Sequence, residues 1–234
     1  MAPAQPNQSI LRGFLVLQEV IVAGRPIGSR EISRLVKIEH STVNRILGTL
    51  VETGMLQQNF ESKYLPGPRI HVLSALSLNA SRLIPATLPV LERIHSQGAL
   101  VALGTLWRDM VVYLLHARAE QDIAHSAGVH EHYPANKSVI GKVLMPKGPK
   151  SIWEDRPELQ ERAWGARIGE KENVGIAIVL PQGHPLYDPP ELMLVQIEQA
   201  AETIYNNLQH IGAEPLREDA RWQKLNPHPI TSLA

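Results

Sequence analysis

Residues 29–56, SREISRLVKIEHSTVNRILGTLVETGML, followed at 63–68 by KYLPGP, decide how the first third of the chain folds. Within 40–53 the apolar side chains Val43, Ile46, Leu47, Leu50 and Val51 recur at helical spacing, so they predict one buried stripe. Ser41, Asn44, Arg45 and Gly48 then face away from that stripe, and Gly54 supplies the stop. Just upstream, Gly28 can cap a short helix with Glu31 three residues on, and Ile32, Leu35 and Val36 give that helix an apolar side. Earlier still, residues 1–8 read as a polar, disordered lead-in, and Ser9 as the N-cap of a helix running to about Ala23. Ile10, Phe14, Leu17 and Ile21 are the expected buried face of that helix, and Gly24 and Pro26 stop it. After the third helix, Met55–Gln58 and Lys63–Leu65 flank the polar stretch NFES, which predicts a hairpin closed off by Pro66, Gly67 and Pro68. Three helices and a hairpin make a winged helix.

Further along, Ile70, Leu73, Ala75 and Leu76 make 69–78 a semi-apolar helix whose stripe exceeds what a small domain needs, as a linker pairing with its twin would show. Residues 83–97 carry Leu88, Leu91 and Ile94 and predict another helix, closed by Gly98, with Pro85 and Pro89 tolerable only near its start. ALVALGTLW and MVVYLLHA are two apolar runs joined by Arg108 and Asp109, a hairpin in a buried sheet. Ser138–Met145 reads as a helix start containing Gly141, Ile152–Trp164 as a helix, and VGIAIVL at 174–180 as the last clear strand. Pro189 leads into a closing helix over 192–208, with Leu194, Ile197, Ala201, Ile204 and Leu208 at helical spacing. The proline-containing tail beyond has little periodicity.

The division expected is a winged helix-turn-helix at 1–67, a linker helix at 68–82, a sensor domain at 83–212 and a tail at 213–234. At 234 residues the chain is long enough for two cores. Its net charge of zero hides a mild asymmetry, because residues 1–69 hold eight Lys and Arg against five Asp and Glu, while the remainder holds 15 against 18. A positive head suits a part that meets phosphate. With no cysteine the chain forms no disulfide, no apolar run approaches the length of a membrane span, and the start lacks signal-peptide character, so a cytoplasmic protein is expected.

The motif EI, STV, R-x-L-x-T-L, G-x-L and Y-x-x-G, spread over residues 31–67, resembles the helix-turn-helix and wing of the IclR family of bacterial regulators. LPVLERIHSQGALVALGTLWRDMVVYLL and SVIGKVLM resemble that family's first sensor helix, hairpin and Gly-Lys helix, so the resemblance runs from Ser9 to about Leu208. It implies an α+β chain: a winged helix-turn-helix, a linker helix and a GAF-like sensor domain with a central antiparallel sheet. It further implies a homodimer, or a dimer of dimers, on a palindromic double-stranded DNA operator, with a small organic effector such as a carboxylate. Departures are Ser33 where the family usually has alanine, Lys37 where the turn often has glycine, and Ala99 in place of a glutamate. Lys37 in a left-handed conformation costs on the order of 1 kcal/mol. The sensor half is also short by some tens of residues, with Val174–Leu180 as one strand where the family has more, which predicts a reduced or open pocket.

For DNA the candidate contacts are Ser29, His40, Ser41, Thr42, Asn44, Arg45, Thr49 and Lys63. Arg45 can fork onto guanine or phosphate and Asn44 can bridge adenine, while Ser41 and Thr42 reach backbone oxygens near a positive helix end and Lys63 meets phosphate from the wing. For the effector, the resemblance places a pocket beneath the helix carrying Gly141, where Asn136, Lys137 and Ser138 stand, with Ala127, Gly128 and Tyr133 as walls. Free backbone N–H groups beside a hydroxyl and an ammonium suit a carboxylate. His125, His130 and His132, with His116 nearby, keep a metal-responsive regulator open as an alternative, although the spacing matches no closed zinc site. An enzyme with an appended winged helix is the remaining alternative, but the sequence holds no G-x-S-x-G, glycine-rich phosphate loop or H-E-x-x-H. No cofactor is expected. Trp107, Trp153, Trp164 and Trp222 are expected as core or interface anchors.

Overall fold

The computed structural model describes residues 6–126, 132–170 and 173–211, and it divides into two compact units, 1–81 and 82–234. The first unit holds α1 (Gln8–Val22), α2 (Ser29–Val36), α3 (His40–Glu52), a two-stranded wing of β1 (Leu56–Gln58) and β2 (Tyr64–Pro66), and α4 (Pro68–Ala80). Its core joins Val16, Leu17 and Val20 of α1 to Ile32, Val43, Leu47 and Leu56. The stripe predicted on α3 is the buried one, Val43 and Leu47 fully and Ile46, Leu50 and Val51 in part.

The first helix departs from expectation in two ways. Its cap is Asn7, whose side chain accepts from the amides of Ser9 and Ile10 at 3.0 and 3.3 Å, so Ser9 lies inside the helix. Its inward face is Val16, Leu17 and Val20, whereas Ile10 and Phe14 are 57% and 58% exposed and Ile21 is exposed too. Apolar residues occupy more than one side of α1, so periodicity alone admits two faces, and the small core beneath covers only the one carrying Val16, Leu17 and Val20. On α2, Ile32 is buried but Leu35 is exposed, and Glu31 pairs with Arg25 at 2.6 Å instead of closing a capping box. Lys37 does adopt the left-handed conformation, φ 55°, and Ser33 supports that turn by donating from its hydroxyl to the Ile38 carbonyl at 2.7 Å.

The second unit is a three-layer arrangement around a six-stranded antiparallel sheet of order β5-β4-β3-β8-β7-β6. Its elements are α5 (Leu83–His95), β3 (Leu100–Trp107), β4 (Met110–Ala117), β5 (His132–Pro134), α6 (Val139–Leu144), β6 (Ser151–Arg156), β7 (Glu161–Arg167), β8 (Val174–Pro181) and α7 (Pro190–Ile211). Alternation sorts the sheet's side chains. Val101, Leu103, Trp164, Ala166, Ile176 and Ile178 share a core with residues of α5 and α7, while Ala102, Ala163, Ala177 and Val179 share one with residues of α6.

Residues 152–164, predicted as a helix, are instead an antiparallel pair, with Ile152 opposite Gly165 and Trp153 opposite Trp164. A turn at Pro157–Leu159 with Gln160 at φ 52° divides the segment, and the burial of Trp164 against the sheet outweighs the helix-forming Glu and Leu residues around the turn. The region expected to hold one strand therefore holds three, and the sheet continues two strands past β8.

Candidate functional site

The outer face of α3 is open. Ser41, Asn44, Arg45, Gly48 and Thr49 are exposed and Thr42 is half-buried, all opposite the Val43–Leu47 anchor. The Arg45 side chain makes no hydrogen bond or ion pair among the described residues, its carbonyl alone accepting from the Thr49 hydroxyl, so its guanidinium is available. Ser29, which opens α2, lies 3.0 Å from Nε2 of His40, which opens α3, so two of the predicted contacts form one pair across the turn.

Two residues that sequence reasoning passed over also belong here. Arg12, on α1, lines a groove of about 250 Å³ together with Ser9, Thr42, Arg45 and Thr49, so two guanidinium groups border one concavity. Arg12 lay within the helix read only for its apolar face. Glu39 is the N-cap of α3 and accepts from the amides of Ser41 and Thr42 at 3.0 and 3.1 Å and from the Ser41 hydroxyl. The Ser41 hydroxyl and the two amides hold its carboxyl down to about 2. The positive helix end from which Ser41 and Thr42 were expected to reach DNA backbone oxygens thus already carries a carboxylate.

Lys63 sits at the wing beside Glu61, 2.8 Å away. The loop between the strands is closed by its own hydrogen bonds: the Asn59 amide donates to the Lys63 carbonyl at 2.9 Å, and Asn59 Oδ1 accepts from the amides of Glu61 and Lys63 at 3.1 and 2.9 Å.

In the second unit a cavity of about 930 Å³ lies on the α6 side of the sheet, at the upper end of the range for small-molecule sites. β6 and β7 extend the sheet beyond the one strand expected in this region, and both contribute to the cavity's lining. Its floor is apolar, from Leu100, Ala102, Val139, Ala177 and Val179. The walls are polar. Tyr133, Asn136 and Lys137, three of the predicted ligand residues, line it, and Lys137 has no partner among the described residues. Ser138 stands behind that wall, 2% exposed, 3.0 Å from the hydroxyl of the lining residue Tyr113 and 3.4 Å from the Gly141 amide that it caps. Ala127 and Gly128 lie outside the described residues.

Opposite Lys137, a chain of alternating charges that the sequence reading missed borders the cavity: Lys142 pairs with Glu154, which approaches Arg156 at 3.5 Å, which in turn meets Glu161 at 3.1 Å. Glu154, Arg156 and Glu161 become neighbours only once 151–167 is a hairpin. Behind it, Arg162 is 8% exposed between Asp155 at 2.6 Å and Asp188 at 2.8 Å, with Tyr187 4.2 Å beneath its guanidinium, and this group fixes the hairpin to the segment before α7.

Of the predicted histidine cluster, His130 and the side chain of His125 lie outside the described residues, and His132 is exposed on β5. Among the described residues no three His, Asp or Glu side chains converge as a metal set. Trp164 is fully buried and donates to the Pro190 carbonyl at 2.9 Å, Trp107 and Trp153 are half-buried, and Trp222 lies outside the described residues.

Residues 9–59 match the model of the IclR helix-turn-helix domain, which covers the helices and the start of the wing just described. The chain belongs to the IclR family. This IclR-family chain is 30% identical over 161 residues to the HTH-type transcriptional regulator KdgR of Dickeya chrysanthemi and 29% identical over 161 residues to KdgR of Escherichia coli K12. Each match takes in 67% of the chain but only 50% and 59% of the relatives, so the chain spans little more than half their length. Its fold is that of solved IclR regulators from Brucella abortus (TM-score 0.65, 16% identity, 89% of this chain and 94% of that one) and Alicyclobacillus acidocaldarius (0.61, 15%, 87% and 100%). An IclR homologue from Microbacterium hydrocarbonoxydans, solved with 4-hydroxybenzoate, matches at TM-score 0.54 and 19% identity, over 87% of this chain and all of that one.

Proposed function

We propose that this chain is a DNA-binding transcriptional regulator that acts by binding rather than turnover, in the cytoplasm, with operator occupancy set by a small organic acid in the cavity of its second unit. The observation that carries the reading is the docking of α3: Val43 and Leu47 are fully buried, while Asn44, Arg45 and Thr49 stand clear on the opposite face. Arg12 joins Arg45 as a phosphate contact from α1, and Ser29, His40, Ser41, Thr42 and Lys63 frame the same surface. The boundaries are a DNA-binding head at 1–67, a linker at 68–82, a sensor at 83–212 and a tail at 213–234.

Homodimerisation on a palindromic operator is supported by apolar rows without cover in the head. Ile10, Leu11 and Phe14 on α1 and Val72, Leu73 and Leu76 on α4 are all exposed, more than a lone head of this size should show to water. For the effector, a carboxylate meets the unpartnered Lys137, and an apolar ring rests on the alanine and valine floor. The complex of the Microbacterium homologue with 4-hydroxybenzoate supports that chemical class.

Replacing Arg45 with alanine tests the reading. Affinity for a duplex selected by the full-length chain is expected to fall by about 1 to 3 kcal/mol if the arginine reads a base, with Arg12→Ala costing less and lowering the salt dependence by about one ion. Unchanged affinity for both variants at matched salt overturns the assigned face. A thermal-shift screen with 4-hydroxybenzoate and other small carboxylates checks the sensor, because a ligand at 100 times its Kd stabilises the folded state by about 2.7 kcal/mol.

A further inference from the structure

The chain contains only two phenylalanines, and both are exposed in the head. Phe14 belongs to the apolar row on α1. Phe60 is different: at 110% relative exposure it touches almost nothing, and it stands at the tip of the wing. A side chain so exposed on a slack loop would mean little, yet this loop is not slack. Asn59 closes it from within, taking the amides of Glu61 and Lys63 on its side-chain oxygen, while the Ser62 amide donates to the Asn59 carbonyl at 3.0 Å and Ser62 takes φ 58° to turn the chain back. Phe60 is therefore held out on a turn that is formed in advance.

Its surroundings identify what it meets. Between Leu35 and Val72 in the sequence it is the one exposed large apolar side chain among the described residues, so the wing presents a single exposed apolar side chain at its tip. A protein partner is recognised through a patch, whereas a duplex accepts a single apolar wedge between two base pairs. The neighbours suit the floor of the minor groove. Gln58 is exposed and makes no hydrogen bond among the described residues, and Asn59 spends its oxygen on the turn but keeps its amide hydrogens. Amide side chains of this kind read the acceptors that every base pair shows there. Glu61 and Lys63 neutralise one another at 2.8 Å, leaving the tip with little net charge, and so its grip is by stacking and not by attraction to phosphate.

We infer that Phe60 is a minor-groove wedge, inserted at a base step beside the half-site read by α3, and that it unstacks and bends the operator. The inference rests on the DNA-binding reading above. The test uses the full-length chain and a duplex that it selects from a random-sequence pool. Phe60→Ala is expected to weaken binding about tenfold without changing the slope of affinity against salt, and to remove both the bend seen by end-to-end energy transfer and the fluorescence gain of 2-aminopurine at the wedged step. Phe60→Leu, which keeps an apolar wedge, is expected to retain part of each signal. If Phe60→Ala binds and bends as the parent does while Arg45→Ala fails to bind, the wedge is wrong and the DNA-binding reading stands. If neither substitution matters, that reading falls as well. A Phe60→Ala chain whose weaker binding comes with a changed sedimentation coefficient assigns Phe60 to a protein contact and also overturns the wedge.

Discussion

Gly141 sits in the first turn of α6 against Ala135, and replacing it with alanine gives a prediction that follows from distances alone. A β-carbon there falls 2.5 Å from the Cα and 2.6 Å from the carbonyl carbon of Ala135, and closer still to its oxygen. These are backbone atoms, roughly 1 Å inside ordinary van der Waals contact, and they cannot rotate away as a side-chain tip would. Ala135 is itself held, its amide donating to the Asp109 carbonyl at 2.8 Å. Relief requires α6 to lift off the turn at Ala135–Lys137 that precedes it, parting Val139, Ile140 and Val143 from the sheet residues they pack on. Overpacking of this kind costs about 3 kcal/mol at the upper end, and the better helix propensity of alanine returns about 1, for a net loss of about 2 kcal/mol. In a unit of this size that lowers Tm by about 4 to 8 °C. Tryptophan fluorescence is a selective assay, because Trp107, Trp153, Trp164 and Trp222 all lie after residue 82 and the head contributes none. Gly48→Ala is the control: nothing lies within 4 Å of its β-carbon, so it is expected to stabilise the head by up to about 1 kcal/mol and leave the fluorescence transition alone. A Tm for Gly141→Ala within about 1 °C of the parent would refute the reasoning.

Two further predictions concern polar groups. The Glu39 carboxyl is depressed from 4.5 to about 2, so its capping of α3 is complete above about pH 4.5 and is lost as pH falls toward 2. An NMR titration that finds its midpoint near 4.5 removes the cap from the account. Thr87 is fully buried on α5 and its hydroxyl has no hydrogen-bond partner among the described residues, so Thr87→Val, equal in shape, is expected to raise stability by about 1 kcal/mol in urea unfolding. A loss of stability would mean that the hydroxyl is satisfied after all.

The head and part of the second unit were legible because their signals are local. The α3 stripe, the Arg108–Asp109 hairpin and the Ser138 cap each follow from a few neighbouring residues, and each stands where the sequence put it. What escaped were choices decided by distant partners. Nothing within 10–22 says whether Phe14 or Val16 turns inward, since both rows are apolar and only the size of the core settles it. The hairpin of β6 and β7 was hidden because its place is settled by pairing with β8, a separate strand beginning at Val174, and the charged wall of the cavity was lost along with it. Arg12 was passed over for the same reason: its company with Arg45 is a fact of tertiary packing.

Besides the burial of Leu56, the wing is tied to the helices through its backbone. Ile27, just ahead of α2, exchanges two backbone hydrogen bonds with Tyr64 of β2, at 3.1 and 2.8 Å. That double tie makes a third rung, and it denies the hairpin any hinge of its own. Such a head behaves as one lever, and a message arriving from elsewhere in the chain cannot retract the wing while leaving the reading helix in place. On the dimeric reading proposed above, control would then work as a caliper does, by changing the span between two intact jaws.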